Sequence, residues 1–223
     1  MNKKLFIEAL IKYFFGVLLV GLLLFLPAGS FNYLGGWLFM GLLFIPMFIV
    51  GVILMIYNPE LLRRRLNAKE KESEQKDVIA ISGIMFLLGF ILAGLNYRFN
   101  WIVLPSIVMI IGAIIFIISY ILYGIILKQN EYLLRTIEVE ENQKLVDTGF
   151  YSIVRHPMYS ITILLFLSMP FVLGSLISFF IFLVYPFLMV KRINNEEKVL
   201  EKDLKGYKEY QKKVKYKLIP YIW

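Results

Sequence analysis

The chain has 223 residues, 59% of them hydrophobic and 16% aromatic, with a mean hydropathy of +0.72, well above the roughly half-apolar content of a soluble domain. It contains no cysteine and one histidine, His156, which excludes disulfides, thiolate nucleophiles, Cys-based zinc or iron–sulfur sites and multi-histidine metal centres. The net charge of +8 comes from Lys and Arg placed in short stretches between apolar runs, which suits an anionic lipid surface better than nucleic acid.

A membrane-spanning helix needs about 20 mostly apolar residues. Four runs meet or nearly meet that length: 11–28, 36–57, 78–95 and 101–127. The first follows Lys3 and Lys4 as a signal peptide would. No small-residue cleavage site closes it, however, and a second apolar run follows at once, so it reads as a retained helix. The region 158–190 is too long for one helix. Pro170 and Gly174 lie in its middle, which predicts a hairpin of two short helices within 157–192. The expected fold is an all-α integral membrane protein of about six transmembrane helices, or five if the hairpin only dips into the bilayer. Its expected division is 1–127, four transmembrane helices with a basic loop at 58–77, and 128–223, a chemically active region.

Charge sets the expected orientation. Basic residues occur at Lys3, Lys4 and Lys12; at Arg63, Arg64, Arg65, Lys69, Lys71 and Lys76; at Lys128, Arg135, Lys144 and Arg155; and along the tail from Lys191 to Lys217. The intervening loops hold only Arg98. Every alternate loop is thus basic, which predicts that those loops and both termini are cytoplasmic. Trp37, Tyr57, Tyr97 and Trp101 fall near predicted helix ends, as interfacial aromatics do. The apolar runs before Leu127 carry almost no ionisable residue at mid-span, and there is no convincing internal repeat, which argues against an ion-coupled pump or transporter.

Polar and special residues collect in two segments flanking the hairpin, 143–159 and 191–223. A hairpin returns the chain to its starting side, so the two segments are expected to meet in one composite site at the membrane surface. Thr148-Gly149 reads as a turn, and Pro157 suits the first turn of a helix, which puts His156 at or beside its N-cap. Exposed N–H groups there favour a carboxylate or another anion, with Arg155 adding charge; Arg-His-Pro alone equally marks a membrane boundary. Arg192 and Glu196 are four apart, the spacing of an ordinary helical ion pair, but their place at the end of an apolar helix beside His156 favours a functional role. The tail from Lys198 to Lys217 spaces Leu200, Leu204, Tyr207, Tyr210 and Val214 as an amphipathic helix, despite Gly206, that lies on the bilayer or covers the site.

At these residues the sequence resembles the isoprenylcysteine carboxyl methyltransferase family and its relatives, the membrane phospholipid methyltransferases. The pattern is carried by Leu145-Val146, Thr148-Gly149, Tyr151, Arg155-His156-Pro157-Met158-Tyr159, Arg192-Ile193, Glu196-Glu197, Tyr207, Tyr210 and Leu218-Ile219-Pro220, in family order over about eighty residues; Asn58-Pro59-Glu60-Leu61-Leu62 also looks like a segment of bacterial members. Family members often have Gly where Ser160 stands and Phe-Gly near Leu204-Lys205. The resemblance implies S-adenosylmethionine as methyl donor, bound at Gln143, Lys144, Leu145, Val146, Tyr151, His156, Pro157, Met158, Tyr159 and Glu196. It also implies Arg192 facing a lipophilic acceptor, with Arg192 and Glu196 as the catalytic pair and neither metal nor nucleic acid involved. A rival resemblance is to membrane sterol and steroid reductases, which use NADPH. They share an Arg-His-Pro-like segment and a tail like Tyr216-Lys217-Leu218-Ile219-Pro220-Tyr221, but tend to show an Arg-Asp pair and a Cys where this chain has Arg192-Ile193 and Glu196-Glu197. The Lys-, Ile- and Asn-rich composition suggests an AT-rich prokaryote and its cell membrane.

Overall fold

A computed structural model of the chain describes residues 3–66, 73–130, 132, 139 and 143–223. Of the expected basic residues, Lys69, Lys71 and Arg135 lie outside the described residues. The first two apolar runs form α1 (Lys3–Ala28) and α2 (Leu34–Tyr57). Asn58 ends α2 and opens α3 (Pro59–Leu66): its Oδ1 accepts the Leu61 N–H at 3.1 Å, and Pro59 takes the first helical position, where a missing N–H costs nothing. Two long helices follow, α4 (Ser73–Phe99) and α5 (Ser106–Gln129). The start expected for α5 at Trp101 is corrected to Ser106, with Pro105 as N-cap. A helix begun at Trp101 would drive the Pro105 ring against the Trp101 carbonyl.

The hairpin consists of α6 (Pro157–Val172), α7 (Leu176–Phe182) and α8 (Val184–Asp203), followed by α9 (Tyr207–Lys213). Its returning arm is longer than expected. Leu176–Asp203 forms one nearly continuous rod of 28 residues, about 42 Å at 1.5 Å per residue. It breaks at Leu183 because Pro186 supplies no N–H to the Phe182 carbonyl. Its excess length over a bilayer core of about 30 Å carries Arg192, Glu196 and Glu197 out to the membrane boundary.

Among the described residues five helices are long and apolar enough to cross a membrane: Lys3–Ala28, Leu34–Tyr57, Gln75–Phe99, Ser106–Gln129 and Leu176–Asp203. With 16 residues α6 is shorter, but the turn after it reaches the loops at the far end of the bundle. The Tyr33 hydroxyl donates to the Leu173 carbonyl at 2.6 Å, and the Asn96 amide donates to the carbonyls of Ile102 at 3.0 Å and Gly174 at 3.4 Å. The described helices therefore traverse the bundle six times. At the opposite end Leu5 packs with Met55 and Leu62, and the Lys12 ammonium donates to the Leu66 carbonyl at 2.8 Å. Both chain ends thus share one side with α3. Outward faces such as Ile11, Phe14, Phe15, Leu18 and Leu22 of α1, and Ile107, Ile110, Ile114, Ile118 and Ile121 of α5, are exposed. Their helical spacing makes apolar stripes that only lipid can cover, and the protein is an integral membrane protein.

Without a hydrophobic drive between helices in lipid, small residues set how closely they pack. A Cβ at Gly94 of α4 would strike the Leu24 carbonyl of α1, and one at Gly112 of α5 would lie 2.7 Å from the Phe171 Cβ of α6. Neither obstacle is a flexible side-chain end. Gly94→Ala is expected to lower stability by about 1–3 kcal/mol in detergent unfolding, whereas Gly51→Ala, with nothing within 4 Å, leaves it unchanged.

Candidate functional site

The site is built around the start of α6. His156 is the N-cap and Pro157, which has no N–H, the first helical residue; no side chain caps the helix, and with the Tyr159 N–H donating to the His156 carbonyl at 3.1 Å the first-turn donor left over among the described residues is the Met158 N–H. The C-terminal tail lies against this start. The Arg155 and His156 N–H groups donate to the Tyr216 and Lys217 carbonyls at 2.9 Å each, and the Ser160 hydroxyl donates to the Leu218 carbonyl at 2.6 Å.

Glu197 of α8 holds these pieces together. Its carboxylate accepts from Arg155 Nε at 2.7 Å, Lys217 Nζ at 2.8 Å and the Tyr207 hydroxyl at 3.4 Å, and lies 3.2 Å from His156 Nε2. The Glu197 and Arg155 side chains are each 7% exposed. Arg155 also donates to the Val214 and Lys215 carbonyls at 2.8 Å. A buried charge is tolerated only when paired and hydrogen-bonded on all sides, and Glu197 meets that condition through two cations from distant parts of the chain. The charge that Arg155 is expected to add at the helix start is spent on Glu197, and the residue is a buried strap across the tail.

The neighbouring Glu196 points elsewhere. The Tyr159 hydroxyl donates to its Oε2 at 2.6 Å and accepts from Arg192 Nε at 2.9 Å, while Arg192 donates to Gln75 Oε1 at 3.1 Å. The spacing of Arg192 and Glu196 allows an ordinary helical ion pair, and Tyr159 bridges the two residues. The Tyr159 ring stacks on His156 with centroids 5.8 Å apart and carries the Arg192 guanidinium 5.9 Å from its centroid.

A cleft of about 810 Å³, its open mouth included, is lined by Gln143, Lys144, Leu145, Val146, Tyr151, His156, Met158, Tyr159 and Glu196. Nine of the residues singled out from the sequence thus face one space. Pro157 and Arg192 do not line it: Pro157 is spent in the helix start, and Arg192 sits behind Tyr159, towards Gln75. The lining also includes Arg155 and the tail residues Leu200, Leu204, Tyr207 and Tyr210, in keeping with a tail that covers the site, together with Asn130, Tyr132 and Val199, to which the sequence assigns no role.

That tail is not one amphipathic helix. Gly206 adopts φ +86°, α8 stops at Asp203, and the chain beyond Lys213 leaves helical geometry. Leu204, Tyr207, Tyr210 and Val214 are buried together and pack on Leu145, Val139 and Leu200, so this face covers the cleft. The Tyr210 hydroxyl donates to the Tyr151 carbonyl at 2.6 Å. Burial pushes the Tyr151, Tyr207 and Tyr210 hydroxyls above the ordinary phenol range, reinforced by Glu196 at Tyr151, by Glu197 at Tyr207 and by Tyr151 at Tyr210. All three therefore stay neutral at physiological pH.

Residues 108–202 match the family model of the isoprenylcysteine carboxyl methyltransferase (ICMT) family. The family resemblance is borne out over this segment. It runs from α5 through the cleft segment and the hairpin to the end of α8. The chain is also similar to a Delta(14)-sterol reductase of Mus musculus, 33% identical over 93 residues, which are 40% of this chain and 22% of that protein. The chain thus matches about a fifth of the length of this curated relative.

Two outcomes test the site's construction. Glu197→Ala leaves Arg155 and Lys217 buried or half-buried without a counter-charge, and is expected to cost about 3–5 kcal/mol; limited proteolysis should then cut the tail beyond Lys213 well before the rest of the chain. Tyr159→Phe removes the shared hydroxyl. A double-mutant cycle of Tyr159→Phe with Arg192→Lys should show non-additivity of about 1 kcal/mol or more, and strict additivity would mean the bridge carries no energy.

Proposed function

We propose that the cleft binds S-adenosylmethionine and that the protein is a methyltransferase acting on a lipophilic acceptor. The observation that carries this reading is the convergence of Gln143, Lys144, Leu145, Val146, Tyr151, His156, Met158, Tyr159 and Glu196, from two separated segments, on one cleft at the bundle's end. The residues fit the group chemically. One Glu196 oxygen is held by Tyr159 and the other is available to an amino group or ribose hydroxyls. The α6 N-terminus suits the carboxylate, and the apolar walls Leu145, Val146 and Met158 suit an adenine ring. The Tyr151 hydroxyl, buried and without a well-formed hydrogen bond, stands close to the Asn130 amide and offers a further donor.

The bound cofactor supplies an electrophilic methyl group on a sulfonium centre. The protein's part is positioning, because methyl transfer to an oxygen or nitrogen needs mainly alignment. Arg192, steered by Tyr159 and Gln75, orients the acceptor from behind Tyr159, so that the acceptor's reacting atom meets the methyl group at the cleft's edge. A carboxylate acceptor needs no base, whereas an amine acceptor must lose a proton, which Glu196 accepts directly or through Tyr159. The lipophilic part of the acceptor enters sideways from the bilayer between helices. The basic loops support a cytoplasmic position for this site and both termini, and the Lys-, Ile- and Asn-rich composition supports a prokaryotic cell membrane.

The reductase relative favours a second reading, in which the cleft takes NADPH. Calorimetry on purified protein separates the two. The methyltransferase reading predicts binding of S-adenosylmethionine and S-adenosylhomocysteine but not NADPH, with Glu196→Ala weakening both adenosyl ligands by about tenfold or more. NADPH binding without the adenosyl compounds would move the protein to the reductase class.

A further inference from the structure

The buried side-chain polar atoms that lack a hydrogen bond among the described residues are Arg65 Nε and Nη2, Gln75 Nε2, Asn195 Nδ2 and the Tyr151 hydroxyl. All can donate. Four of the five can do nothing else. Arg65 is on α3, Gln75 at the start of α4, Asn195 on α8 and Tyr151 in the turn before α6, so the unmet donors gather at the site end of the bundle. An unmet buried donor costs about 1–3 kcal/mol, more when charged, and calls for an explanation such as an absent ligand.

Arg65 is the strongest of them. Its Nη1 donates to the Tyr123 hydroxyl of α5 at 3.2 Å, and its guanidinium carbon lies 5.9 Å from the Tyr123 ring centroid. That fixes the plane of the guanidinium while leaving Nε and Nη2, one edge of the fork, unmet. This edge is the one that matches two oxygens of a carboxylate or phosphate. Arg65 lies within electrostatic range of Tyr151, which is also in range of Glu196 in the cleft. Arg65 thus lies near the turn that carries Tyr151, on α3, which directly follows the spanning helix α2 and so lies at headgroup level.

We propose that Arg65, oriented by Tyr123, binds the oxyanion of the amphiphilic methyl acceptor. Its identity as acceptor rests on the methyl-transfer reading of the cleft; the oxyanion site itself does not. The acceptor is therefore an anionic amphiphile whose charged group sits between α3 and α5, and neither Arg63 nor Arg64 takes part in holding it.

The test measures binding of dodecanoate, dodecyl phosphate and uncharged methyl dodecanoate to the full chain in phosphatidylcholine nanodiscs at pH 8. Wild type should prefer one anion to the ester by about tenfold or more, and Arg65→Gln should abolish that preference. Arg63→Gln, on the same helix with a side chain 59% exposed, should retain it. Arg65→Lys keeps the charge without the fork and should retain only part, which keeps the test valid if Arg65→Gln folds poorly. Preference for dodecanoate identifies a carboxylate acceptor, and preference for dodecyl phosphate a phospholipid headgroup. Equal losses in Arg65→Gln and Arg63→Gln, or no loss in either, overturn the proposal. S-adenosylhomocysteine affinity, measured in parallel, should be unchanged in Arg65→Gln. If wild type does not bind it at all, the methyl-transfer reading fails while the anion preference still reports on Arg65.

Discussion

The buried carboxylate of Glu197 is the constraint on which the site end of the molecule depends. It sits on the part of α8 that outruns the bilayer, where two cations separated by 62 positions, Arg155 and Lys217, neutralise it. Successive residues on a helix point about 100° apart. With Glu197 turned to Arg155, Glu196 is turned towards Tyr159 and the cleft. One residue fixes the tail; its neighbour faces the cleft.

The same constraint closes the cleft. Arg155 grips the carbonyls of Val214 and Lys215, Tyr207 reaches Glu197, and Tyr210 reaches the Tyr151 carbonyl. The tail is thereby held over 143–146 by polar bonds and by the small apolar cluster around Leu204. The helices below form a frame set by glycine contacts at Gly94 and Gly112 and by the hydrogen bonds of Tyr33 and Asn96 at the far end. Under the proposed methyl transfer, a cleft at one end of the bundle, with a bilayer along its sides, brings a water-soluble donor and a lipid-borne acceptor to one place.

The spans were legible because lipid imposes length and apolarity on every crossing helix, and 11–28, 36–57 and 78–95 all lie inside observed helices. The helix expected from Trp101 missed its start because hydropathy does not see the stop that Pro105 imposes. The tail was misjudged as one helix because its apolar spacing continues across Gly206, while the left-handed backbone there ends the helical path. Nine residues of the cleft were legible from motif order. The separate duties of Glu196 and Glu197 were not, because they depend on partners about 40 and 20 positions away, Arg155 at one side and Lys217 at the other. Arg65 was visible only as one of three arginines in a basic loop; its unmet donors are a property of packing.

A structure of the protein with S-adenosylhomocysteine tests the central claim most directly. The methyltransferase reading predicts the nucleoside in the cleft against Leu145 and Tyr151, with Glu196 on its amino group or ribose hydroxyls and Arg192 beyond Tyr159. An adenosyl ligand bound elsewhere, or a cleft that accepts NADPH and leaves S-adenosylhomocysteine in solution, would contradict it.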